Sequence, residues 1–299
     1  MTDVTAKEQT QPSLLRDMVM LTKPRIIISL LLVTTVAPMF VAGNPGWLLV
    51  LIVLVGGYLM AGGANAVNMY LDRDIDMQMS RTRLRPIPSG RMGPKSVLAF
   101  GVLLATAATF LLARFTNVLT ALLALGGFYF YIFVYTRWLK RTTPQNIVIG
   151  GAAGAFPPLV GWASMTGTID LTAVYLFLII FYWTPPHFWA LALLKQRDYG
   201  RAGIPMAPLV WGERATMRQM LWYNVILIAL TLLPFTFGAF GMIYLGSAAV
   251  LGAILLWGVI RVNRTAEWTK PAWWVYKFSL LYLALLFLAM VIDRKVLGS

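Results

Sequence analysis

The chain has 299 residues, 59% hydrophobic and only 12% charged, with 25 Lys and Arg against 11 Asp and Glu for a net charge of +14. An ordinary globular domain is about one quarter charged, so a soluble enzyme, a disordered chain and a fibrous protein are excluded. The lack of cysteine excludes disulfides, thiolate nucleophiles and Cys-ligated zinc or iron–sulfur centres. So basic a chain would bind nucleic acid only if its cations were gathered for it, and their placement decides the matter.

Nine stretches have the roughly 20 apolar residues that a membrane helix needs: about 26–43, 47–71, 96–114, 117–136, 146–166, 171–194, 217–239, 241–260 and 273–292. Outer-membrane strands alternate in segments of ~10 residues and do not fit this pattern. The expectation is an all-α integral membrane protein of nine transmembrane helices. Residues 26–292 would form one domain, two four-helix halves plus a ninth helix, between tails 1–25 and 293–299. Met1–Gln11 has neither the apolar core of a signal peptide nor the composition of a transit peptide. It reads as part of a cytoplasmic tail.

All the cations except Arg114, Lys277, Arg294 and Lys295 fall in that tail or in the loops after runs 2, 4, 6 and 8. The positive-inside rule then places the N-terminus and the long loops in the cytoplasm and the C-terminus outside. This removes nucleic acid as a partner. Most of the charge sets orientation and meets anionic lipid headgroups.

The second run ends in Asn65, Asn68, Asp72, Asp74 and Asp76. At ~100° per residue, Asn65, Asn68, Asp72 and Asp76 share one helical stripe about 80° wide, and Asp74 points roughly opposite, where it can face the basic loop. Amides are costly in an apolar run, and carboxylates one turn apart repel. Two arrangements resolve this: a solvated helix end with Asp–Arg pairs, or a hard cation on the stripe. All-oxygen donors suit Mg²⁺, which is often shared with phosphates. The loop that follows carries Arg81, Arg83, Arg85 and Arg91, and arginine forks bind phosphate. Acids beside arginines make a diphosphate-binding composition, whereas a nucleotide P-loop is absent.

The loop after run 6 holds Lys195, Arg197, Asp198 and Arg201. The only histidine, His187, lies in the aromatic, proline-broken stretch Phe181–Trp189. It shares a helix face with Asp198, about 16 Å deeper if the helix is continuous. His187 either bonds a backbone carbonyl freed at Pro185-Pro186 or contacts a large apolar cofactor such as haem. Tyr129, Tyr131 and Tyr135 read as packing or interfacial residues.

The spacing Asn68-x-x-x-Asp72-x-x-x-Asp76 resembles the first Asp-rich motif of the UbiA-type intramembrane prenyltransferases, a family of nine-helix proteins. Six segments are similar to its haem O synthase (protohaem IX farnesyltransferase) branch. They are Leu21-Thr-Lys-Pro-Arg25, residues 68–76, Arg85-Pro-Ile-Pro-Ser-Gly-Arg91, residues 142–158, residues 183–192, and Asp198-Tyr-x-x-Ala-Gly-Ile-Pro-Met206. The likeness spans about residues 21–212, and Trp183-Thr-Pro-Pro-His-Phe-Trp189 is its most branch-specific part. The family's second motif often has two acids a turn apart. Here Asp198 stands alone and position 202 is Ala.

The resemblance implies a Mg²⁺-dependent transfer of farnesyl from farnesyl diphosphate to a vinyl group of haem b. Addition of water would yield haem o and diphosphate, for the cofactor of haem–copper terminal oxidases. It implies Asp72, Asp76 and Asp198 as catalytic residues that hold Mg²⁺ with Asn68. Arg81, Arg85, Lys140, Lys195 and Arg201 are the diphosphate candidates, Asn65 supports the first motif and His187 contacts haem. Location would be the bacterial inner membrane, with the site towards the cytoplasm and haem A synthase a candidate recipient of the product. Two rivals stay open. A prenyltransferase for an aromatic quinone precursor would need no histidine in run 6. A secondary transporter of an anionic lipid or metabolite would use helices interrupted at Pro157-Pro158 and Pro185-Pro186.

Overall fold

A computed structural model describes residues 13–80 and 82–296, and among these every regular element is helical. Among the described residues, nine helices are long and apolar enough to span a membrane. They are α1 (Leu14–Ala42), α2 (Trp47–Leu71), α3 (Pro94–Phe115), α4 (Val118–Thr142), α5 (Asn146–Thr166), α6 (Leu171–Leu194), α7 (Glu213–Thr236), α8 (Met242–Arg264) and α9 (Thr269–Val296). Each pairs with the next from α2 onward, and α1 touches α2, α5 and α9 to close the ring. The even-numbered helices therefore end on one side. The two longest connections, 72–93 and 195–212, emerge there.

Small residues let the helices approach closely, as expected where apolar burial gives no net drive. Gly63 of α2 and Gly101 of α3 meet face to face, and a Cβ on Gly63 would lie 2.6 Å from the Gly101 carbonyl oxygen. Gly161 of α5 sits directly on the Thr35 backbone of α1. Asn117 and Asp170 cap α4 and α6 by accepting from Thr120 N and Ala173 N, at 2.9 and 3.1 Å. The cap of α8 is tertiary. Fully buried Asp293, on α9, accepts from the backbone N–H groups of Gly241 (2.5 Å) and Tyr244 (3.0 Å).

Several helices run beyond their apolar cores. The region read as a tail before residue 26 contains the helical segment Leu14–Thr22, and α9 continues through Asp293, Arg294 and Lys295. Hydropathy misses such ends because charged residues lower the local average, although Asp17 is paired with Arg91 and Asp293 with backbone N–H groups. Residues 1–12 and 297–299 lie outside the described part. The proline pairs do not interrupt their helices: Ala152–Thr166 carries Pro157 and Pro158, and α6 carries Pro185 and Pro186. The breaks fall elsewhere. Lys23 adopts a left-handed conformation (φ 47°) inside α1, and π-helical turns occupy Leu32–Val36 and Phe130–Leu139.

Candidate functional site

The polar stripe survives, although its helix does not run straight through. α2 ends at Leu71, Asp72 is non-helical (φ −90°, ψ 9°), and a short helix follows at Arg73–Gln78. Bonds from Asp72 N to Asn68 O and from Asp76 N to Asp72 O, both 2.8 Å, carry the four-residue spacing across the break. Asn68, Asp72 and Asp76 are buried, with Asp72 only 1% exposed.

Each buried carboxylate meets a cation. Lys140 Nζ, from the end of α4, donates to Asp72 Oδ2 at 2.5 Å, and Arg85 donates to both oxygens of Asp76 at 2.9 and 2.8 Å. Asn68 Nδ2 donates to Asp72 Oδ2 (2.8 Å) and Thr136 Oγ1 (3.1 Å), leaving its amide oxygen as an acceptor. Asp72 Oδ1 has no hydrogen bond, and Arg141 lies 3.6 Å from it. Asp74 does point away from the stripe. Its cation comes from α4, where Arg141 donates to both its oxygens at 2.7 and 2.8 Å. Those hydrogen bonds hold the Asp74 carboxyl at about 2, well below its usual value. The cluster is thus three carboxylates against three cations.

The other candidates are distributed around it. Asp198, in the short helix Gln196–Arg201, accepts from Ser80 Oγ at 3.2 Å, which brings the second acidic segment to the end of the first. Asn65 accepts from Lys23 Nζ at 2.7 Å and donates to Ala61 O. Arg81 lies outside the described residues. Lys195 lies over the Trp273 ring of α9 (5.9 Å), and Arg201 is exposed. Among the described residues, no hydrogen bond or ion pair ties Lys195, Arg201 or His187 to the carboxylates. The loop arginines divide their work. Arg91 grips buried Asp17 of α1 at 2.9 to 3.1 Å and also donates to Leu84 O, so it clamps the loop rather than facing the stripe.

His187 lies deep between α6 and α9. Its ring is sandwiched by Trp183 (4.4 Å, 17°) and Tyr276 (4.8 Å, 23°), and Nδ1 lies 2.7 Å from Ser279 Oγ. The Ser279 hydroxyl also lies 2.9 Å from Tyr276 O, so the tautomer of His187 sets which of the pair donates. The partner is a side chain of another helix, where a carbonyl freed by proline was one expectation. Helix α6 also stops at Lys195, so His187 and Asp198 do not share one continuous helix.

Sequence reasoning missed Lys23, Thr136, Arg141 and Ser80. Thr136 and Lys140 are one turn apart, which was a usable sign. The π-helical stretch that aims them is invisible in the sequence, though such stretches are frequent at functional sites. Tyr131, read as packing, stacks on Tyr135 (5.6 Å, 17°) and lies within the field of Asp72, Arg85 and Asp76. Tyr129 is exposed and stacks on Phe133.

A polytopic helical membrane protein with acids and basic forks gathered at one end of its bundle is the class these features define. Residues 30–291 match the UbiA prenyltransferase family. The protoheme IX farnesyltransferase of Roseiflexus castenholzii is 54% identical over 298 residues, 99% of this chain and 55% of that protein. That of Symbiobacterium thermophilum is 51% identical over 284 residues, 93% of this chain and 94% of that protein. A UbiA homolog from Archaeoglobus fulgidus, solved bound to DMAPP and Mg²⁺, shares the fold with a TM-score of 0.66 at 15% identity, covering 92% of this chain and 99% of that one. The chain belongs to the UbiA prenyltransferase family. It spans about half the length of the Roseiflexus relative.

Proposed function

We propose that the chain is a protohaem IX farnesyltransferase: it transfers farnesyl from farnesyl diphosphate to a vinyl group of haem b, and water then completes haem o. The observation that carries this reading is the pairing of buried Asp72 and Asp76 with Lys140 and Arg85 at the bundle end, in a chain about half identical to proteins of that name.

Mg²⁺ fits the donor set. Asp72 Oδ1 is a buried oxygen without a hydrogen bond, Asp76 lies one turn on, and the amide oxygen of Asn68 is a third hard donor. Among the described residues no three acids or histidines converge into a metal cage. A site with few protein ligands suits Mg²⁺, which keeps waters and shares phosphate oxygens. Asn68, Asp72 and Asp76 would hold it, with Asp198 helping through Ser80 or water. The ion would neutralise charge growing on the leaving diphosphate.

The protein does the rest by placement. Arg85 and Lys140 lie where a diphosphate bound beside the acids would accept their hydrogen bonds. Arg81, Lys195 and Arg201 add positive potential from the flanking loops. As the allylic C–O bond ionises, apolar bundle walls keep water from the cation until the vinyl group attacks. Water captures the second cation beside the porphyrin. No protein nucleophile is required. Asn65 and Lys23 orient the stripe. His187, held at Ser279, is the candidate contact for haem. The site faces the cytoplasm of a bacterial inner membrane. The product supplies haem–copper oxidases, with haem A synthase as its next acceptor.

Diphosphate release from farnesyl diphosphate by the purified protein, measured with and without haem b and Mg²⁺, tests this. Release that depends on both is expected. Release that follows a quinone precursor in place of haem would replace the acceptor. The continuous helices at both proline pairs leave the transporter reading without its structural basis.

A further inference from the structure

Each buried carboxylate of the stripe is neutralised within the protein. Asp72 and Asp76 meet Lys140 and Arg85 at 2.5 and 2.8 Å. A divalent cation arriving alone would leave these two buried pairs with two excess positive charges. A diphosphate arriving alone would meet carboxylates whose counter-ions are engaged. Both costs fall when the two arrive together.

The partners differ in freedom. Asp72 and Asp76 are buried and fixed by their backbone positions, with 1% and 4% of their side chains exposed. Arg85 and Lys140 are long side chains that keep 17% and 16% exposed. Arg141 is different again: besides Asp74 it donates to Leu71 O at 2.9 Å, pinning the end of α4 to the end of α2. The geometry thus separates one anchoring cation from two that can turn.

We propose that Arg85 and Lys140 are exchange cations. Each neutralises a carboxylate of the stripe until a metal–diphosphate pair arrives, then moves to the diphosphate oxygens as the carboxylates take the metal. Metal and diphosphate consequently bind with positive coupling, and the metal alone binds weakly. This rests on the reading of the stripe as a metal and prenyl diphosphate site.

The test uses the full chain in lipid nanodiscs. Mn²⁺ binding is followed by the EPR signal of the free ion, with and without inorganic diphosphate. Asp72→Asn/Asp76→Asn serves as the blank for metal–diphosphate complexes in solution. In the wild type, diphosphate should tighten Mn²⁺ binding by about tenfold or more, within the usual range of coupling between sites. In Arg85→Gln/Lys140→Gln, Mn²⁺ alone should bind about tenfold tighter than to wild type and gain less than about threefold from diphosphate. Should the double variant fail to fold, each single variant should show the same change in smaller measure, and the wild-type coupling decides by itself. Wild-type Mn²⁺ affinity indifferent to diphosphate overturns the proposal, as does a charge-removed variant that binds Mn²⁺ alone no more tightly. Mn²⁺ binding unaffected by the Asp72→Asn/Asp76→Asn change refutes the site reading itself, a separate outcome.

Discussion

Replacing Asp72 by Asn separates the structural from the chemical role of the stripe. The side chain is 1% exposed and accepts from Lys140 (2.5 Å) and Asn68 (2.8 Å). Removing one partner of a buried ion pair costs about 3–5 kcal/mol. Lys140 is 16% exposed and can turn to water, so we expect a smaller loss of about 2 kcal/mol for Asp72→Asn. Asp72→Asn/Lys140→Met removes both charges and should recover most of that stability, because the amide can keep its contact with Asn68. Activity should follow neither trend. Loss of the carboxylate that would hold the metal should lower haem o formation by about 10²–10³-fold in both variants, the scale of one electrostatic group at a reacting centre. Stability is read from reversible SDS unfolding by circular dichroism, and activity by haem extraction and chromatography. A double variant that regains activity along with stability would refute the reasoning, since Asp72 would then serve only to neutralise Lys140. Full activity in Asp72→Asn would refute it sooner.

Three further outcomes follow from the packing and charges. Gly161→Ala drives a methyl group into the Thr35 backbone, which cannot yield as a side chain would. It should cost about 3 kcal/mol, the upper part of the overpacking range, while Gly246→Ala, with open space around its site, should be neutral or stabilising in the same SDS titration. Arg91→Met strands the buried Asp17 carboxylate and frees Leu84 O. It should destabilise by about 3 kcal/mol and speed proteolysis of the loop at residues 82–92; an unchanged cleavage rate would refute the clamp. For Asp74, Arg141 holds the folded carboxyl at about 2 against an ordinary 3.8. Its contribution is therefore complete above the ordinary value and is lost as pH falls towards about 2. The Tm difference between wild type and Asp74→Asn should be constant from about pH 7 to 5 and shrink in more acid solution; a difference that grows with acid would reverse the assignment.

Much of the site could be read in advance because helical spacing is local. Asn65, Asn68, Asp72 and Asp76 were placed on one stripe from their numbers, and i, i+4 backbone bonds keep them there even though Asp72 interrupts the helix. The arginines of the following loop could not be assigned this way. Arg85 and Arg91 are six residues apart with the same chemistry, yet one meets Asp76 and the other Asp17. Those partners are set by how the loop folds back over α1 and α2. His187 was legible as an unusual residue, but its Ser279 partner is 92 positions away on a helix without a motif.

The amino-acid sequence by itself determined the class of the protein. Apolar runs of membrane length and basic residues in alternate loops depend on composition and order alone, and both are dictated by the bilayer. It also determined the axial position of the acids, because helix geometry converts spacing into direction. Only the tertiary structure decided which cation neutralises which acid. Ion pairs form between groups brought together from α1, α4 and the 72–93 connection, and their distances depend on close helix contacts, a left-handed Lys23 and a π-helical turn in α4. These are outcomes of packing, where a shift of one residue around a helix redirects a side chain by ~100°.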